Sequence, residues 1–81
     1  MRGTVTRSEK VILGGSPSFI AVVDDGTGQI DLLFIGRDHV PGFSPGACCT
    51  AWGTARIEHG HLVIWNPLYR FEPADIPQGG T

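Results

Sequence analysis

The chain has 81 residues, of which 41% are apolar, and it contains 12 glycines and 6 prolines. This length allows one small domain with one core. The high number of glycines and prolines favours short strands joined by turns over helices. Six basic and eight acidic side chains give a net charge of −2. That balance excludes a strongly basic surface, the kind that attracts nucleic acid by charge alone.

Three strands are predicted in the first half of the chain. Thr, Val and Ile enrichment places strand one within residues 3–12. A turn at residues 13–18 leads into strand two, Phe19–Val23, which is apolar and rich in β-branched residues. Asp24–Gly28 contains the Asp-Gly pair typical of hairpin turns, and strand three follows at Gln29–Ile35.

Two further strands are predicted in the second half. The connector at residues 36–46 is broken by prolines and glycines, so it has room for one helical turn at most. Strand four is predicted at Ala47–Ile57, with Gly53 marking a bulge or bend within it. After a turn, strand five covers Leu62–Trp65. The predicted domain is residues 1–72, followed by a flexible Pro- and Gly-rich tail at residues 73–81.

Five short strands without a helical period predict a small closed β-barrel. Closure removes the exposed edges that a small open sheet would present. A β-sandwich is the alternative, but it usually needs about seven strands and a longer chain.

An ordered set of short motifs extends from Gly3 to about Phe71. The set resembles the OB-fold nucleic-acid-binding family of the tRNA/helicase type, including the wedge domain of a bacterial branch-migration helicase and small bacterial OB-fold proteins. The resemblance implies an all-β, five-stranded Greek-key barrel that binds single-stranded or junction DNA or RNA without catalysis. The motifs are Gly3-Thr4-Val5-Thr6, Val23–Gly28, Leu32-Leu33-Phe34, Pro45-Gly46, Gly53 and Leu62–Tyr69.

The resemblance also predicts which side chains face the core, because successive residues of a strand point to opposite faces. The predicted core is Phe19, Ala21, Val23, Ile30, Leu32, Phe34, Cys49, Ala51, Leu62 and Ile64, with Tyr69 and Phe71 closing one end. The predicted outer face of strands two and three is Ile20, Val22, Asp24, Asp31, Leu33 and Ile35. This face is the usual OB-fold ligand platform. Its aliphatic middle supports an alternative function, a homodimer or protein contact through Ile20, Val22, Leu33 and Ile35.

Seven residues are predicted to bind nucleic acid in a groove over strands two and three. Basic side chains would contact phosphates, and Trp, His or Arg planes would stack on bases. The alternative for the tryptophans is structural packing, and for the basic residues, including Arg70, ordinary solvated charge. The predicted set is Arg7, Lys10, Arg37, Trp52, Arg56, His61 and Trp65.

No catalytic, metal or cofactor site is predicted. His59 and His61 lack neighbours with zinc-ligand spacing, and no serine or cysteine has a His-Asp arrangement near it in sequence. Adjacent Cys48 and Cys49 rule out a disulfide framework, which favours a reducing, cytoplasmic setting. No apolar run reaches the length of a membrane span.

Overall fold

The computed structural model describes residues 1–72, which form seven β-strands and no helix. The all-β prediction is confirmed. None of the described residues lies in a helix long and apolar enough to cross a bilayer, and the predicted tail at 73–81 lies outside the described residues. The strands are β1 (Arg2–Leu13), β2 (Ser16–Asp24), β3 (Gln29–Ile35), β4 (Cys48–Trp52), β5 (Ala55–Glu58), β6 (His61–Trp65) and β7 (Leu68–Phe71).

The strand count differs from the predicted five for two reasons. Predicted strand four is divided into β4 and β5 at Gly53-Thr54, where Gly53 has a φ of 155°. A Cβ at Gly53 would lie 2.7 Å from Cγ2 of Ile64, so glycine permits the close approach of β6 at this break. The second reason is β7, which begins directly after Pro67 and pairs with β4.

The sheet has the order β5-β6-β3-β2-β1-β4-β7. All pairs are antiparallel except β3 with β6, which is parallel. Only Gly53 and Thr54 separate β4, which pairs with β1, from β5, which pairs with β6 on the far side of the sheet. This short connection brings the two sides together, and the sheet curls into a half-barrel.

Two tight turns build the β1–β2–β3 meander. Gly14 and Gly15 form a two-residue loop with φ angles of 56° and 81°, the positive values that such hairpin loops require. At the next turn, the Asp25 carboxylate accepts hydrogen bonds from the Thr27 hydroxyl at 2.7 Å and the Thr27 amide at 2.9 Å. These bonds confirm the predicted hairpin turn and lower the pKa of Asp25 from its ordinary 3.8, with the Thr27 hydroxyl contributing most.

The predicted inward residues form the core, with one correction. Leu62 was predicted to be buried, but it is 42% exposed. It pairs with Ile57, which is itself exposed, on the outermost strand of the sheet. Within residues 1–72, no strand beyond β5 covers this pair. The core comprises Val5, Phe19, Ala21, Val23, Ile30, Leu32, Phe34, Val40, Phe43, Cys49, Ala51 and Ile64.

An aromatic cluster fills one part of the interior of the half-barrel. Phe43, from the β3–β4 connector, lies 5.4 Å from Phe34, 5.0 Å from Tyr69 and 4.8 Å from Phe71, measured between ring centroids. Tyr69 and Phe71 are partly buried against the core. The connector and β7 therefore pack on each other, which agrees with the predicted role of Tyr69 and Phe71 in closing the interior.

Candidate functional site

A groove of about 530 Å³ crosses the outer face of β2, β3 and β6. The tip of the β1–β2 hairpin forms one wall and the β5–β6 turn forms the other. Its floor is the face of the sheet that points away from the core. The lining residues are Leu13, Gly14, Ile20, Asp31, Leu33, Ile35, Glu58, His59, His61, Val63 and Trp65.

Strand register orders the groove floor into two rows. One row runs Ile20–Leu33–Trp65 across β2, β3 and β6. Paired residues share a face of the sheet, so these three side chains lie side by side. Of the aliphatic outer residues predicted to be an exposed patch, Leu33 is buried and Ile20 is only half-buried. The patch is therefore a groove floor rather than an open surface.

The second row runs Val22–Asp31–Val63 and ends at Arg56 on β5. Val22 and Val63 are 3% and 6% exposed, whereas Asp31 is half-buried. Among the described residues, no side chain or backbone group makes a hydrogen bond or ion pair with the Asp31 carboxylate. The Asp31 carboxylate thus receives no hydrogen bond from residues 1–72, and its two neighbours in the row are apolar.

Trp65 is the one Phe, Tyr or Trp side chain among the described residues that line this groove, and two residues of β5 hold it in place. Its indole N–H donates a hydrogen bond to the Glu58 carboxylate at 2.7 Å. The guanidinium carbon of Arg56 lies 5.1 Å from the ring centroid, within cation–π range. Trp65 remains 40% exposed, so part of its surface stays open to a ligand.

The structure brings three of the seven predicted nucleic-acid contacts together. Trp65 and His61 line the groove, as expected for alternate residues of one strand, and Arg56 covers the Trp65 ring. Arg7 lies on the same outer face, opposite Val22, but its guanidinium is 3.5 Å from the Glu9 carboxylate.

The other three predicted contacts lie elsewhere. Lys10 pairs with the core residue Phe19, which places it on the face opposite the groove. Arg37 is exposed in the turn after β3. Trp52 is exposed on β4, where the Arg70 guanidinium carbon is 6.0 Å from its ring centroid. Lys10, Arg37 and Trp52 are all absent from the groove lining.

Several lining residues were not among the predicted contacts. Leu13 and Val63 are aliphatic, and Glu58 lies in the segment between predicted strands four and five. The alternation 61–63–65 along β6 was the signal that could have included Val63. The contribution of Leu13 depends on how far the β1–β2 hairpin extends, and composition does not set that length.

Charge and metal chemistry at the site are limited. Within the described part of the chain, the groove lining contains the carboxylates of Asp31 and Glu58 and no Lys or Arg. Residues 1–72 contain no group of three His, Cys, Asp or Glu side chains arranged to hold a metal ion. Burial raises the pKa of the Cys49 thiol, while Cys48 is exposed at the surface.

Comparison of the chain with protein-family models, with curated proteins and with solved structures finds no match.

Proposed function

We propose that this chain is an OB-type barrel module that binds single-stranded nucleic acid, without catalysis, in the outer groove. The observation that carries the proposal is the position of the groove. It lies on the outer face of the second and third strands, between the β1–β2 hairpin and the β5–β6 turn, which is where OB-folds hold oligonucleotides.

The strand path supports the OB-type assignment. The first three strands form a meander. If β4 and β5 are counted as one strand bent at Gly53, this fourth strand pairs with β1 through its first half and with β6 through its second half. The last barrel strand, β6, then returns to pair in parallel with β3. This is a five-stranded Greek-key path, and β7 is an addition to the edge at β4.

The side chains of the groove fit bases better than phosphates. The open surface of Trp65 offers a stacking platform, worth about 1–3 kcal/mol per base in comparable sites. Ile20 and Leu33 provide an apolar floor beside it. Arg56 and Arg7 stand at opposite ends of the second row of the floor, so about two phosphates are within the reach of this arrangement.

A titration with a fluorescently labelled oligonucleotide of about 12 nucleotides tests the proposal. With about two phosphate contacts, affinity should fall only about sevenfold between about 50 and 200 mM salt. A groove that binds mainly through charge would show a much steeper dependence. The absence of binding at low salt with tens of micromolar protein would contradict the proposal.

A protein partner or a second copy of the chain is the other candidate function, favoured by the apolar lining and by the acidic groove charges. Sedimentation of the wild type and of Ile20→Lys distinguishes the two candidates. A concentration-dependent dimer that Ile20→Lys dissociates would support self-association. A monomer that binds oligonucleotides would support the first proposal.

A reducing, cytoplasmic location is part of the proposal. Cys48 and Cys49 are both free thiols, one exposed and one buried. Proteins of oxidising compartments seldom keep exposed thiols free, which supports this placement.

A further inference from the structure

We infer that Asp31 makes the groove selective for guanine over the other bases, so that the module prefers single strands with guanine at one position. This inference rests on the proposed function. It follows from three features of the floor: an unused carboxylate, the apolar side chains beside it, and the tryptophan on the next strand.

The carboxylate of Asp31 has no hydrogen-bond or ion-pair partner within residues 1–72, so it is free to accept hydrogen bonds from a ligand. Its neighbours in the row, Val22 and Val63, have no polar side-chain atoms. The nearest cations in register are Arg7 and Arg56, each two strands away. Arg7 faces Glu9, and Arg56 lies over Trp65, so neither is directed at Asp31.

The other groove carboxylate is already in use. Glu58 accepts the hydrogen bond of the Trp65 indole N–H at 2.7 Å. Among the groove residues that the structure describes, Asp31 is therefore the free carboxylate, while Glu58 is a positioning residue for the aromatic ring.

Register places Asp31 within reach of a base on Trp65. Trp65 pairs with Leu33 across the parallel β3–β6 ladder, and Asp31 is two residues before Leu33 on the same face. With neighbouring strands about 4.8 Å apart and a rise of about 3.3 Å per residue, such diagonal neighbours in a parallel ladder lie about 8 Å apart, roughly the span of a purine ring with its hydrogen-bonding edge. A base stacked on the open part of Trp65 would thus present that edge to Asp31.

Guanine fits a carboxylate best. Its N1–H and exocyclic N2–H₂ are adjacent donors, which match the two oxygens of one carboxylate in a bidentate pair. Adenine and cytosine each offer one amino donor beside a ring acceptor. Thymine and uracil flank their single N–H with two carbonyl oxygens, which a carboxylate repels. The expected order is guanine, then cytosine and adenine, then thymine or uracil.

The test uses the full chain and short oligo-dT strands in which one central nucleotide is varied. A central dG should bind roughly tenfold more tightly than a central dT, because one good bidentate pair gives about that discrimination. A central deoxyinosine, which keeps N1–H and lacks the N2 amine, should lie between them. This arm needs no protein variant, so it does not depend on the folding of a mutant.

The protein arm compares Asp31→Asn with Asp38→Asn. Asp38 is exposed on the β3–β4 connector, outside the groove, so its variant carries the same charge change. Asp31→Asn should remove the dG preference, since its amide NH₂ favours the carbonyl oxygens of thymine, while binding of the oligo-dT strand is retained or strengthened. Asp38→Asn should keep the preference.

The outcomes separate this inference from the proposed function. Binding with equal affinity for all central bases, or a dG preference that survives Asp31→Asn, overturns the role of Asp31 and leaves the groove as a nucleic-acid site. No binding of any strand by the wild type overturns both.

Discussion

The guanidinium carbon of Arg56 lies 5.1 Å from the centre of the Trp65 ring, and Glu58, two residues further along β5, accepts the indole N–H. The outer face of one four-residue strand therefore holds the exposed aromatic side chain of the groove. Because this support comes from surface side chains, it can be changed without removing anything from the core.

Removing Arg56 should weaken nucleic-acid binding without unfolding the domain. In Arg56→Ala, Trp65 loses its cation–π partner and the groove loses one of its two proposed phosphate contacts. We expect affinity to fall about tenfold and the salt slope to become shallower by about 0.7. The control is Arg70→Ala, which removes the matching partner of Trp52 outside the groove. Equal losses in the two variants would contradict a special role for the Arg56–Trp65 pair.

Tryptophan fluorescence should report binding through Trp65 alone. In Trp52→Phe the remaining indole is in the groove, and oligonucleotide should change its emission as the wild type does. In Trp65→Phe the remaining indole is on β4, and we expect little change in emission together with weaker affinity, because a smaller ring stacks less well. If the change in emission is lost in Trp52→Phe and kept in Trp65→Phe, the binding site lies at β4, outside the groove.

Gly53→Ala should destabilise the fold at the β4–β5 break. The added Cβ would lie 2.7 Å from Cγ2 of Ile64, and relieving that overlap costs about 2 kcal/mol of unfolding free energy. Gly28→Ala is the matched control, since nothing lies within 4 Å of its Cβ position. Urea denaturation should show a large loss for the first variant and a change within about 0.5 kcal/mol for the second.

Phe43→Ala should be among the most destabilising single changes in the chain. Phe43 is 3% exposed and contacts Phe19, Phe34, Tyr69 and Phe71. Truncating a buried phenylalanine typically costs about 3–5 kcal/mol. Asp38→Ala, which removes an exposed side chain of the same connector, should leave the urea midpoint nearly unchanged. A small effect of Phe43→Ala would show that the connector is not part of the core.

Stability should fall in acid partly through Asp25. Hydrogen bonds from Thr27 and Gly28 lower its pKa below 3.8 in the folded chain, so the ionised form favours folding. That contribution is present above pH 3.8 and is lost as the pH falls through the lowered value. Asp25→Asn should therefore be less stable than the wild type at neutral pH, and the difference should shrink well below pH 3.8. Asp38→Asn controls for the loss of one carboxylate, and a pH-independent difference for Asp25→Asn would contradict the linkage.

Turn signals and the order of short motifs in the sequence predicted much of the fold. The family resemblance set the register that predicted the inward residues of β2 and β3, and the Asp-Gly pair predicted the turn after Asp24. Gly53 marked the interruption of strand four. The division of this strand into β4 and β5 depends on the close approach of Ile64 from β6. Such a tertiary contact cannot be predicted from the sequence around Gly53.

The candidate site was less predictable because it combines distant segments. Trp65, His61 and Arg56 were predicted as contacts and do lie at the groove. Lys10 was also predicted, but the register at the bulge between Val5 and Arg7 carries it to the opposite face. A bulge of one residue exchanges the faces of all that follows it. Composition alone does not indicate where such a bulge falls.

The pairings of β4 with β1 and of β6 with β3 have a consequence for the order of folding. The β1–β2–β3 meander closes over short loops, whereas β3–β6 and β1–β4 join residues far apart in the chain. Distant pairings pay a larger loop-closure cost and form late. Trp65 and both residues that hold it arrive with these late strands, so an intermediate containing only the meander would have no groove. We expect refolding chains to recover oligonucleotide binding only in their slowest kinetic phase.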